Sequence, residues 1–204
     1  MSQNLAAVVF DMDDVLCDYQ FEVRLRGLAA LSGLSADEVE TRIWTSGFDE
    51  DGDRGKYDAD QYLTEFNRRL DTNMTAAQWM AVRKESTVPN KEVLDLARMV
   101  AGSHPVALLT NNGPLFKRGM AEIFPELLEI FGQHAYCAYE FGAAKPDPTV
   151  FLGVAGALNV DPKAMCFVDD TEEYIQGARS VGVHAHHFKD ADTLRIELER
   201  LQLI

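Results

Sequence analysis

Three carboxylates, Asp11, Asp13 and Asp14, follow directly on the apolar run "AAVVF" at 6–10. Acids crowded in one place raise one another's pKa, and a chain that needed only a soluble turn would use Gly, Asn or Ser there. Other polar groups stand at matching places. Thr110, Asn111 and Asn112 follow "PVALL", Asp169 and Asp170 follow "MCFV", and Lys145 comes after "YEFGAA". If these apolar runs are parallel strands, the residues just beyond them converge on one edge of the sheet. That edge would hold clustered carboxylates, one ammonium, and a Thr/Asn pair with adjacent backbone amides. An oxygen-preferring divalent cation removes the conflict among the acids, and Mg²⁺ typically sits on one or two carboxylates plus phosphate oxygens.

The chemistry expected of such a crevice is phosphoryl transfer. A carboxylate attacks phosphorus and forms an acyl-phosphate, dividing one hard step into two. Mg²⁺ and Lys145 offset the repulsion between two anions. The leaving alkoxide needs a proton, and the same group must later take one from water. Asp13, two residues beyond Asp11, is placed for this if the chain turns out of the strand there. Thr110 and the amides after it are candidates to bind the phosphoryl oxygens.

Strand-like runs at 5–10, 105–110, 135–139, 164–168 and 183–188 must position these groups. Between the later runs lie helical patterns with clear punctuation. One opens after Pro89 and closes at Gly102, one carries Pro148 in its first turn, and one runs from Thr171 to Gly182. The alternation implies βαβ units and a Rossmann-like parallel α/β sheet covered on both faces. The interval 18–88 breaks the pattern and is almost wholly helical. "SADE" (35–38), "DADQ" (58–61) and "TAAQ" (75–78) each fit a capping box, and the Gly-rich, charged stretch 46–58 reads as a turn between helices. The expected division is a core of 1–17 and 89–204 with an inserted α-helical cap at 18–88.

Composition bounds the partners. The chain has 204 residues, 47% of them hydrophobic, and a net charge of −14. An acidic surface disfavours nucleic acid, which needs a basic stripe, and disfavours an anionic membrane surface. No segment has the length and apolarity of a transmembrane helix. Cys17, Cys137 and Cys166 are scattered, without metal spacing, and read as reduced buried thiols. The expectation is a cytoplasmic enzyme acting on a small molecule as a monomer or weak dimer.

"VVFDMDDVL", "ALLTNN", "GAAKPDP" and "CFVDD", in this order, resemble the four signature motifs of the haloacid-dehalogenase-like superfamily, and the resemblance covers essentially the whole chain. It implies Asp11 as nucleophile and Asp13 as general acid/base that also lends its backbone carbonyl to Mg²⁺. It implies that Thr110 and the Asn111 amide bind the phosphoryl group, that Lys145 is the motif lysine, and that Asp169 and Asp170 are the acidic pair, with Asp170 favoured as direct metal ligand. The helical insert is similar to the caps of bacterial sugar-phosphate phosphatases and of the phosphatase domain attached to epoxide hydrolases. The implied activity is Mg²⁺-dependent hydrolysis of a small phosphorylated metabolite, a sugar phosphate favoured, through an aspartyl-phosphate. Many relatives carry an Asn four residues after the acidic pair; Tyr174 stands here instead.

Three rivals share the fold. A phosphomutase uses the same residues and differs in the acceptor. A 2-haloacid dehalogenase needs neither Asp13 nor a metal, and a non-catalytic phosphate-binding protein has no use for Asp13. Asp14 reads as structural. The "HAHH" run at 184–187 reads as a partly buried strand end rather than a metal site, and "DEDGD" (49–53) lacks the rest of a calcium loop. Packing is the expectation for Trp44, while Phe48 and Tyr57 either line a pocket or pack. Arg54 and Lys56 are expected to be solvated.

Overall fold

The computed structural model describes residues 5–204. Five parallel strands form the central sheet: β1 (Ala7–Phe10), β4 (Val106–Thr110), β5 (Ala135–Cys137), β6 (Met165–Asp169) and β7 (His184–His187), in the order β5-β4-β1-β6-β7. The five apolar runs of the sequence are these strands. β1 lies in the middle, with Phe10 opposite Leu108 on one side and Val168 on the other. The chain moves outward from β1 through β4 to β5, then crosses back to β6 and β7. A crevice opens beside β1 where the direction reverses, the usual ligand position in open α/β sheets.

Alternation along each strand sends side chains to opposite faces. Val9, Ala107, Leu109 and Phe167 face α9 (Pro148–Leu158) and α10 (Glu172–Ser180). Val8, Phe10, Leu108 and Val168 face the other layer, built from α6 (Lys91–Ala101), α7 (Pro114–Ile123), α8 (Pro125–Phe131) and α11 (Ala191–Arg200). Both faces are buried, which explains why β1, β4 and β6 read as unbroken apolar runs.

Between β1 and β4 the chain forms a short antiparallel ribbon, β2 (Cys17–Tyr19) with β3 (Thr87–Pro89), in which Asp18 pairs with Val88. The boundaries expected at 17/18 and 88/89 fall inside this ribbon. Beyond it stand α1 (Phe21–Ser32), α2 (Ala36–Glu40), a π-helical turn (Thr41–Thr45), α3 (Phe48–Asp53), α4 (Ala59–Leu70) and α5 (Ala76–Glu85). All three capping boxes close reciprocally. At α4, Gln61 N donates to Asp58 Oδ1 at 2.8 Å while Asp58 N donates to Gln61 Oε1 at 3.0 Å. Ser35–Glu38 and Thr75–Gln78 do the same at α2 and α5.

The stretch 46–58 differs from the turn expected of it, because α3 forms within it. Its first turn carries Asp49, Glu50 and Asp51, which the helix dipole favours at that end. Phe48 is buried and stacks on Tyr62 with ring centroids 4.9 Å apart, which holds the short helix in place. Apolar side chains of the inserted helices, Leu28, Ile43 and Phe66 among them, join the same core as one face of the sheet. No helix of the described residues is long and apolar enough to cross a membrane.

Candidate active site

Asp11 is the first residue past β1, its amide bonded to the Val168 carbonyl at 2.9 Å. Lys145 Nζ lies 2.7 Å from Asp11 Oδ1 and 2.7 Å from Asp169 Oδ2, with its side chain wholly buried. The other Asp169 oxygen accepts from the Thr171 amide at 2.8 Å where α10 begins. Asp170 is half-buried, and oxygens of Asp11, Asp169 and Asp170 all lie within 4.8 Å of one another. Burial drives the Asp11 pKa well above the usual carboxylate range, with Asp169 and Asp13 adding to the effect and Lys145 opposing it. Asp170 is raised by burial and by Asp169. Lys145 stays charged: burial opposes its charge, but Asp11 and Asp169 together outweigh that and raise its pKa.

Asp13 sits in a different setting. Arg83 Nη2, from α5, reaches its two oxygens at 2.6 and 2.8 Å. Asn112 Nδ2 donates to Asp13 Oδ2 at 3.0 Å and to Thr110 Oγ1 at 2.8 Å. Burial alone would raise the Asp13 pKa, but Arg83 foremost, then Asn112 and Arg24, bring it below the usual value. Its side chain therefore stands outside the acid cluster, leaving only its carbonyl for the metal role the family resemblance implies. Arg83 is 1% exposed; it also donates to Thr87 Oγ1 at 2.7 Å and lies over the rings of Tyr19 and Phe116.

Asn111 turns its side chain toward the backbone of Lys145. Its Nδ2 donates to the Lys145 carbonyl at 3.0 Å, and its Oδ1 accepts from the Lys145 amide at 2.9 Å. Tyr174 completes this corner: its ring lies 4.8 Å from Lys145 Nζ, and its hydroxyl is 3.4 Å from Asn111 Nδ2. The residue standing in place of the usual Asn thus supports Lys145 with an aromatic face. Asp14 takes a left-handed backbone (φ 59°) and accepts from the Tyr19 amide at 3.1 Å, a structural role in the turn.

A cavity of about 240 Å³ opens from Asp13 into the inserted helices, with Arg24, Trp44, Asp49, Asp53 and Trp79 on its walls and Asn112 and Gly113 at its floor. Trp44 packs as expected, edge-on to Phe21 with ring centroids 4.9 Å apart, and lines this cavity as well; Phe48 packs against Tyr62 and Phe66. Arg54 pairs with Glu50 and Lys56 with Asp51, both exposed. On β7, His184 meets Glu197, and His187 Nε2 donates to the Asp170 carbonyl at 2.7 Å, so these histidines serve the strand and the acidic loop.

Asp11, Asp13, Thr110, Lys145, Asp169 and Asp170 come to one edge as the motif spacing requires. Sequence reasoning missed Arg83, Arg24 and the side-chain role of Asn112. The readable signal was a charge on an apolar helix face. Arg83 lies four residues after Trp79, and Arg24 three after Phe21 and four before Leu28, positions that share a face.

A family model described as haloacid dehalogenase-like hydrolase matches residues 5–182. The chain is 27% identical over 195 residues to a phosphatase of Mycobacterium tuberculosis, MT3486, covering 90% of this chain and 87% of the relative. It is 23% identical over 201 residues to the D-ribitol-5-phosphate phosphatase of Bacteroides thetaiotaomicron, covering 94% and 95%. Among solved structures, a HAD family enzyme of Bacteroides thetaiotaomicron in complex with magnesium and inorganic phosphate superposes with TM-score 0.79 at 20% identity, over 93% of this chain and 98% of that one. A HAD-like family hydrolase of Porphyromonas gingivalis gives TM-score 0.79 at 21% identity, over 97% and 98%. With the motif residues gathered at one sheet edge and the match spanning most of its length, the chain belongs to the haloacid dehalogenase-like hydrolase family.

Proposed function

We propose that the protein is a Mg²⁺-dependent phosphatase of small phosphate monoesters, sugar phosphates favoured, working through an aspartyl-phosphate on Asp11. The observation that carries this reading is the contrast between two acids two residues apart. Asp11 belongs to a cluster of three carboxylates, two of them bridged by one buried ammonium, while Asp13 is held apart by Arg83 and Asn112. In this reading the first binds metal and attacks, and the second transfers the proton. Two phosphatase relatives of nearly equal length support the reaction class, and the ribitol phosphate enzyme supports a small polyhydroxylated substrate.

The acid cluster fits a hard divalent cation. Its donors are all oxygens, and the raised pKa of Asp11 is the strain that a cation would relieve. Asp11, Asp170 and the Asp13 carbonyl would hold Mg²⁺ directly. Asp169 has both oxygens engaged by Lys145 and the Thr171 amide, and so supports the site from behind. When bound, the ion supplies charge neutralisation at the phosphoryl oxygens.

In the first step an Asp11 oxygen bonds to phosphorus, the ester P–O bond breaks, and Asp13 gives its proton to the departing alkoxide. In the second, Asp13 takes a proton from water as the water oxygen attacks the aspartyl-phosphate, releasing phosphate and restoring Asp11. Lys145 and Thr110 stabilise the charge on the phosphoryl group. The Arg83 pair favours ionised Asp13, which suits the second step; the negative phosphoryl group opposes that field and favours the protonated form that the first step needs. The inserted helices act as a cap that shields these steps from bulk water.

The test is phosphate release from a panel of small esters with Mg²⁺ or EDTA, for the wild type and Asp11→Asn. Metal-dependent release that disappears in Asp11→Asn is expected. Full activity of that variant would falsify the nucleophile assignment.

A further inference from the structure

The cavity above Asp13 contains a cation without a hydrogen-bonded partner. Arg24, on α1, is 5% exposed, yet among the described residues its guanidinium makes no hydrogen bond and no ion pair. It is framed by two tryptophans, its central carbon 4.7 Å from the Trp79 ring centroid and 5.6 Å from that of Trp44. The second observation is independent. Trp79 Nε1, on a side chain 4% exposed that lines the same cavity, also has no partner. Buried donors are ordinarily satisfied, and the Arg24 guanidinium, without a hydrogen-bond partner, opens onto the cavity. A guanidinium open to the cavity and an orphaned N–H on the same wall mark the place of an absent acceptor.

Arg83, the other cation of the cavity, is already committed to Asp13, whereas Arg24 forms no ion pair with Asp49 or Asp53 although both stand on the same walls. A guanidinium presents its donors as a planar fork that matches a carboxylate with two parallel bonds. A carboxylate accepts only, suits a donor-only site, and carries a single charge. A second phosphate would bring nearly two negative charges beside Asp49, and a hydroxyl would leave most of the fork unpaired. Asp49 and Asp53 suit hydroxyl groups instead. Asp49 accepts from Tyr62 Oη at 2.6 Å and has capacity left, and burial together with Asp49 raises the Asp53 pKa well above the usual range.

We infer that the substrate is a phosphorylated polyhydroxy acid, its phosphate at Asp11, its hydroxyls facing Asp49 and Asp53, and its carboxylate bound by Arg24 with Trp79 Nε1 alongside. This inference rests on the phosphatase reading and assigns Arg24 as the residue that selects among phosphate esters.

The experiment compares two four-carbon esters that differ only at the far end, erythronate 4-phosphate and erythritol 4-phosphate, with Mg²⁺ present. The wild type is expected to prefer the acid by about tenfold or more in kcat/KM, because a site built around a polar group penalises an analogue that lacks it. Arg24→Gln should bring the ratio of acid to polyol close to one, mainly through a rise in KM for the acid. Trp79→Phe keeps the aromatic wall and removes only the N–H; it should raise KM for the acid several-fold, and it decides the matter if Arg24→Gln does not fold. A wild type that prefers the polyol, or a preference for the acid that survives both variants, overturns the inference. So does faster turnover of erythritol 1,4-bisphosphate than of the acid, which would make the second group a phosphate. Release of phosphate from p-nitrophenyl phosphate but from neither four-carbon ester overturns the inference and leaves the phosphatase reading intact. Release from none of them sinks both.

Discussion

Asp11 and Asp13 are two residues apart and electrostatically opposite. Asp11 shares Lys145 with Asp169, so one ammonium faces two buried carboxylates. Asp13 has the Arg83 guanidinium nearly to itself, and its pKa moves down where that of Asp11 moves up. Such divergence is how neighbouring carboxyls come to serve different roles. Asp13→Asn keeps the shape and the bond to Arg83 but cannot exchange a proton. It should lower kcat by roughly 10²–10⁴-fold on esters with poor leaving groups, and by much less on p-nitrophenyl phosphate, whose leaving group needs no proton. Steady-state kinetics on both esters checks this, and an equal loss on both would remove Asp13 from the acid role. Tyr174→Phe tests the corner behind Lys145. Since the 3.4 Å contact to Asn111 is long for a hydrogen bond and the ring is retained, activity should stay within about twofold.

At the scale of elements, two contacts between the inserted helices and the sheet edge differ in kind. One is electrostatic: α5 carries Arg83 onto Asp13 and is anchored through Thr87 of β3. Arg83→Met leaves Asp13 facing a mostly buried space without its partner and should cost about 3 kcal/mol of unfolding free energy in urea titrations. The other is a close backbone approach. A Cβ added to Gly113, at the start of α7, would lie 2.9 Å from the Gly52 carbonyl oxygen of α3. Neither backbone can yield as a flexible side chain would. Gly113→Ala should separate α3 from α7, raise the KM for the ester substrate several-fold, and speed proteolytic cleavage within 46–58. Unchanged kinetics and cleavage would show that this seam is loose in solution.

For the whole molecule, the apolar core that fills one face of the sheet runs on into the inserted helices, so the two form a single packed body. All three cysteines are buried and free within it, and burial pushes the Cys166 thiol up to about 12. Acid stability is set in part at the surface. Glu65 is held at about 2 by hydrogen bonds from Arg68 and Arg69, and Glu197 at about 2 by Arg200 and His184. Both values lie below the ordinary 4.5, so these groups contribute stability that is complete above that pH and is lost as pH falls toward 2. The raised pKa values of Asp11 and Asp53 act in the opposite sense, which makes a difference measurement the clean one. The drop in urea midpoint between pH 6 and pH 3 should be smaller in Glu197→Gln than in the wild type.

The residues alone specify the sheet, its parallel sense and the edge at which the polar motif residues gather. Strand identity is written in local apolar runs, and the residue after a strand has its position assigned by the strand alone. Asp11, Thr110, Lys145 and Asp169 could be grouped from their spacing for that reason, and the capping boxes likewise rest on groups three residues apart. Helix α3 escaped because its stabilisation comes from Phe48 stacking on Tyr62, fourteen residues away and in another helix. The pairing of Arg83 with Asp13 spans 70 residues, and nothing in either neighbourhood announces the other. Asn111 and Asn112 are adjacent, yet one turns to Lys145 and the other to Asp13 and Thr110, a choice made by the surrounding packing. What the tertiary structure alone decided is the cavity: which helix faces look across it, that Arg24 and Trp79 meet there unpaired, and that Asp13 is gripped from above. These are products of long-range packing, whose energy depends on the mutual placement of helices and not on the residues of any one segment.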